Sequence, residues 1–101
     1  MYSLRKVDGH SKNMGAGDQG SMSRAFRFKE KGVVDYEGRE PRVGWQMLVG
    51  TTGTRSFSNQ DWWQTSPVKR ILRDTTTTKD RKRGVRFETE SGSIYEWTEY
   101  L

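Results

Sequence analysis

At 101 residues, with 31% hydrophobic residues, 31% charged residues and a net charge of +5, the chain is sized for one small domain in which surface outweighs interior. The absence of cysteine excludes disulfides, thiolate nucleophiles and zinc ribbons and suits a reducing, cytoplasmic setting. No apolar stretch reaches the length of a signal-peptide core or a membrane span, so no membrane partner is expected.

Aliphatic residues are scarce, which leaves four Trp, four Tyr and four Phe to build the core, each ring burying a large area. Charge is unevenly distributed. Every Lys and Arg lies at or before Arg86, and the residues beyond it carry only Glu88, Glu90, Glu96 and Glu99. Such a chain pairs a basic body with an acidic last hairpin, or shows two faces of opposite sign.

Residues 1–23 read as a flexible Gly/Ser-rich arm, and 24–101 as a single small β domain. The arm's apolar content is too low to offset the entropy of ordering it. Within it, Gly15-Ala16-Gly17-Asp18-Gln19-Gly20 has the glycine spacing of a dinucleotide-binding turn. It lacks the apolar strand before and the helix after that such a turn requires, so no cofactor is expected.

Arg24–Lys29 is the first strand by alternation, with Phe26 and Phe28 on one face and Arg27 and Lys29 on the other. Glu30-Lys31-Gly32 turns the chain into a short return strand, Val33–Tyr36, which ends at Glu37–Pro41. Arg42–Val49 alternates Val43, Trp45, Met47 and Val49 with polar or small residues and reads as a central strand. Thr54–Phe57 suits a brief further strand, and Ser58–Asp61 a loop. Trp62 and Trp63 follow, one expected inward and one on the rim. Residues 66–74 admit either a short helix capped at Ser66-Pro67 or a strand. β-branched Val68 and Ile71 and the threonines at 75–78 favour the strand.

The turn at Lys79–Gly84 and the one at Ser91-Gly92 make the last third a β-meander. A Ser91-Gly92-Ser93 loop would set Phe87 opposite Trp97 and Thr89 opposite Tyr95. The fold class expected is therefore mainly β: a small antiparallel sheet or partly open barrel built from hairpins, with Trp45, Phe87 and Trp97 buried.

An enzyme is hard to assemble from this inventory. His10, the one histidine, lies in the expected arm, Glu88 and Glu96 are cross-strand glutamates beside a turn, and Asp35-Tyr36-Glu37 lacks further carboxylates at calcium-loop spacing. No catalytic, metal or cofactor residue is assigned. Binding chemistry is better supplied. Lys79, Arg81, Lys82 and Arg83 sit at the tip of a hairpin with Lys69, Arg70, Arg73 and Arg86 on its shafts, a protrusion suited to a phosphate backbone, while Trp62, Trp63 or Tyr95 offer rings to unpaired bases.

The run Trp63-Gln64-Thr65-Ser66-Pro67-Val68, followed by Phe87-Glu88-Thr89 and Ser91 to Tyr95, resembles small uncharacterised phage and prokaryotic β-rich proteins. Those proteins share a Trp-x-Thr-Ser-x-Val start and a Thr-x-x-Ser-x-x-Tyr finish; this chain has Thr89 and Tyr95 of the finish but Gly92 at its serine position, with Ser91 and Ser93 on either side. The resemblance covers 61–97 and implies a strand-rich ending and a phage or mobile-element source, hence the cytoplasm of a bacterial host, but no activity. The expected function is that of a non-enzymatic accessory protein that occupies a surface of a host or viral protein complex, such as an inhibitor of a nucleic-acid-handling complex. Direct binding of single-stranded nucleic acid is the alternative, and self-association into a homo-oligomer is a third reading.

Overall fold

The computed structural model describes residues 1–8, 17–29, 34–50 and 62–100, the side chains of Asp8, Trp62 and Trp63 excepted. His10, the Glu30–Gly32 turn, the Thr54–Phe57 strand and the Ser58–Asp61 loop lie outside the described residues. Among those described there is no helix, hence none long and apolar enough to cross a membrane.

The described residues form nine strands: β1 (Tyr2–Asp8), β2 (Gly17–Gly20), β3 (Met22–Phe28), β4 (Val34–Tyr36), β5 (Gln46–Gly50), β6 (Trp62–Gln64), β7 (Val68–Thr77), β8 (Lys82–Thr89) and β9 (Ile94–Tyr100). They form a five-stranded sheet in the order β2-β1-β9-β8-β7 and a four-stranded sheet in the order β4-β3-β5-β6, neither closed into a barrel. The seven pairings among these strands are antiparallel.

The mainly antiparallel β expectation holds, with two sheets where one was the simplest reading. Their inner faces share one core: Tyr2, Leu4, Val68, Val85, Phe87, Tyr95 and Trp97 from the first sheet meet Ala25, Met47 and Val49 from the second. As expected, rings carry much of it. Tyr2 stacks on Trp97 with centroids 5.8 Å apart, and Phe87 on Tyr95 at 5.7 Å. Trp97 Nε1 donates to Ser23 Oγ at 2.8 Å, and that hydroxyl donates to the Arg39 carbonyl at 2.7 Å, so the indole's one polar group is satisfied across the interface. Trp45 is only partly buried, packed against this cluster with the Arg27 guanidinium 4.3 Å above its ring.

The arm expected over 1–23 is corrected for its described parts. Tyr2–Asp8 is an interior strand between β2 and β9, and burial of Tyr2 and Leu4 supplies the apolar gain that composition alone did not show. Gly17–Gly20 is an edge strand rather than a phosphate-binding turn. A Cβ at Gly17 would overlap the Leu4 carbonyl, so glycine is what lets β2 approach β1.

The central-strand expectation over Arg42–Val49 is met only in its second half: β5 begins at Gln46 and lies between β3 and β6 with Met47 and Val49 buried, whereas Arg42–Trp45 is not strand and Val43 is 60% exposed. On β3 the core face is Ser23 and Ala25. The Phe26 and Phe28 rings meet edge-on on the other face, where Phe28 is 62% exposed.

Of residues 66–74, Val68–Asp74 are strand, within β7, and Ser66-Pro67 precede it. Thr65-Ser66-Pro67 is the corner at which the chain leaves one sheet for the other. Thr65 accepts the Met47 amide on its Oγ1 and donates its own amide to the Met47 carbonyl, and the Val68 amide then donates to Trp45 O. The Ser66 and Ser91 hydroxyls are bonded at 2.8 Å and the Glu90 amide donates to Pro67 O, tying this corner to the β8–β9 turn. Thr65 and Ser66 of the motif, together with Ser91, therefore serve the corner of the fold.

The β8–β9 register differs from expectation. Phe87 faces Tyr95 and Val85 faces Trp97, because the three-residue loop is Glu90-Ser91-Gly92. The Gly92 amide donates to Thr89 O, and Gly92 has φ +88°. In this hairpin type the left-handed residue takes the last loop position, not the middle one. In this register Glu88 lies opposite Ile94 rather than Glu96, and Arg86 lies opposite Glu96 and ion-pairs with it at 2.8 Å.

Candidate functional site

The core takes one face of the five-stranded sheet, and the opposite face carries the exposed side chains of Arg5, Arg73, Lys82, Arg86 and Tyr100. Reading across β1, β9, β8 and β7, register sets three ranks of side chains on it. The first is Arg5, Glu96, Arg86, Arg73; the second is Ser3, Thr98, Gly84, Thr75; the third is Tyr100, Lys82 and Thr77. These eleven residues line a trough of about 380 Å³.

Four cations thus share the trough with one carboxylate, and that carboxylate is committed to Arg86. Arg73 lies directly opposite Arg86 in the ladder, an apposition of like charges that costs the fold stability. Arg73 Nε donates to Thr75 Oγ1 at 3.2 Å. Among the described residues Arg5 and Lys82 make no ion pair. Gly84 lies mid-rank with open space above it: a Cβ there would have only Glu96 Oε1 within 4 Å, at 3.9 Å. The missing side chain is what makes the middle of the sheet a depression, and the hydroxyls of Ser3, Thr75 and Thr98 around it both donate and accept hydrogen bonds.

The basic hairpin expected from sequence exists, but its cations divide. Lys79 and Arg81 are exposed in the turn, where Arg81 takes φ +50°, and Lys69 is exposed on β7. Arg73, Lys82 and Arg86 join the trough. Arg70 is ion-paired with Glu88.

Arg83 points to the core side of the sheet and belongs to the fold. It donates from Nε and Nη2 to the two Asp74 oxygens at 3.0 and 2.7 Å, pairs through Nη1 with Glu40 at 2.7 Å, and lies 5.9 Å from the Trp97 ring. Its hydrogen bonds hold the Asp74 carboxyl below the usual carboxylate range, and Asp74 in return pushes the guanidinium up. Trp62 and Trp63 lie on β6 in the other sheet, and Tyr95 is buried against Phe87, so neither β6 nor Tyr95 contributes to the trough.

Sequence reasoning missed Arg5, Gly84 and Tyr100. Arg5 falls in the expected arm, Gly84 reads as the end of the Lys79–Gly84 turn whereas it lies inside β8, and Tyr100 carries no local signal; only alternation combined with the cross-strand register places them on one face. Neither a family model, nor a curated protein, nor a solved structure matches the chain.

Proposed function

We propose that the protein is a non-enzymatic nucleic-acid-binding module that holds a phosphate backbone against the outer face of its five-stranded sheet. The observation that carries this reading is the trough itself, in which Arg5, Arg73, Arg86 and Lys82 converge with a single, already paired carboxylate. Phosphate oxygens relieve the Arg73–Arg86 apposition and release counterions on binding. Exposed Lys79 and Arg81 extend the positive field beyond the turn and speed encounter.

Fluorescence anisotropy with labelled oligonucleotides at two salt concentrations tests it. Affinity should fall as salt rises, with a log–log slope of roughly −0.7 to −0.9 per phosphate neutralised. Replacing Arg73 and Lys82 together by Glu should abolish binding while leaving the fold intact. Absence of binding at low salt would sink the proposal.

A second reading, a protein that occupies a surface of a host or viral protein complex, draws on a different feature. The outer face of the four-stranded sheet exposes Phe28 (62%) and, across the ladder beside Phe26, Tyr36 (59%), and exposed aromatics are common at protein interfaces. Affinity enrichment from a bacterial lysate with Phe28→Ser/Tyr36→Ser as the control separates the two. A protein captured by the native chain and lost with that double variant favours the second.

A further inference from the structure

Resting on the nucleic-acid reading above, we infer that the trough takes an unpaired strand rather than a duplex, with the Tyr100 ring as the platform on which a base stacks. The cation rank and the Tyr100 rank are separated by four residues along β9, Glu96 to Tyr100, roughly 13 Å at the rise of an extended strand. Between them lies only the depression over Gly84 and its hydroxyl border.

A duplex turns its phosphates outward and hides its base faces in the stack. Laid on this surface, it would bring only more backbone to the tyrosine. An unpaired strand can seat a phosphate on Arg73 and Arg86 and turn a base onto the ring further along, and such stacking tolerates any base because each has a π-face. Size points the same way. About 380 Å³ lies near the small end of ligand-sized concavities, roughly 300–1,000 Å³, suited to a nucleotide and too small for a double helix to enter.

Tyr100 has the exposure this role requires. It is 48% exposed, lies opposite Lys82 in the ladder, and is held by its backbone amide, which donates to Met1 O at 2.9 Å. The ring is thus presented without being needed in the core. Lys82 beside it places a cation next to the stacked base, where it can hold the following phosphate.

The test compares a labelled single strand of mixed sequence with its own duplex at equal length and low salt, using the native chain, Tyr100→Leu and Tyr100→Phe, with circular dichroism of each variant as the check on folding. The single strand should bind at least about tenfold more tightly than the duplex. Tyr100→Leu should weaken it by about tenfold, the usual scale for loss of one stacked base, and Tyr100→Phe should leave it within about twofold. Duplex binding as tight as single-strand binding, or full affinity in a folded Tyr100→Leu protein, overturns the inference and leaves the nucleic-acid reading standing. Loss in Tyr100→Phe equal to that in Tyr100→Leu also overturns it, since the hydroxyl and not the ring face would then be at work. Binding of neither probe removes both.

Discussion

Replacing Gly84 by Val should make the protein more stable and less able to bind, a pairing of effects that few mechanisms produce. Gly84 is a strand residue flanked in its rank by Thr98 and Thr75, and it does not occupy the left-handed region. A glycine inside a strand lacks side-chain packing and loses more backbone entropy on folding than other residues, so substitution by a β-branched residue with room to stand should add about 0.5–1 kcal/mol. Room exists, since the nearest atom to a Cβ is Glu96 Oε1 at 3.9 Å. For a domain near 100 residues this gain corresponds to a rise of roughly 2–8 °C in Tm. The isopropyl group would meanwhile stand in the middle of the trough, between the arginine rank and Tyr100. Thermal melts followed by circular dichroism, paired with anisotropy on a labelled single strand, measure both effects. A lower Tm would show that the backbone at 84 needs glycine. Unchanged affinity in a stabilised protein would refute the trough as the binding surface.

Further expectations concern the fold that holds this surface. Phe87→Ala removes a fully buried ring stacked on Tyr95 and should cost about 3–5 kcal/mol in chemical denaturation; a native-like midpoint would contradict the register described. Gly92→Ala places a Cβ at φ +88° and should cost about 1–2 kcal/mol, with Gly92→Asn costing less because Asn tolerates that region. The Asp74 carboxyl is held low by Arg83, so its contribution is present above the unfolded pKa of about 3.9 and is lost as pH falls through the lower folded value. With the Asp74 side chain 44% exposed, that contribution is no more than about 1 kcal/mol. Asp74→Asn should therefore melt slightly below the native protein at neutral pH and alongside it near pH 2; a gap that persists in acid would place the effect elsewhere.

Local signals were enough to reveal the elements whose evidence lies within a few residues. Alternation marked β3 and β5, turn chemistry marked both hairpins of the last third, and β-branched residues marked β7 as strand. Gly92 announced a left-handed turn residue, yet its place in the loop moved the register by a full pair of positions, because hairpin type and not glycine alone decides which residues close the loop.

What the linear order could not show was every relation that depends on a distant partner. Tyr2–Asp8 is too polar to predict as an interior strand until β9, at the other end of the chain, covers it. The sign of Arg83's role depended on which face of β8 it took. It points inward to Asp74 and Glu40 while Lys82 and Arg86, on the same strand, point out. The trough is assembled from four strands, so its ranks exist only once registers are set: composition supplied the cations and hydroxyls, and tertiary pairing decided that Arg5, Arg73, Arg86, Lys82 and Tyr100 share one face. The reason is physical, since a strand determines only which of its own side chains alternate, and the hydrogen-bonded ladder determines which of them stand side by side.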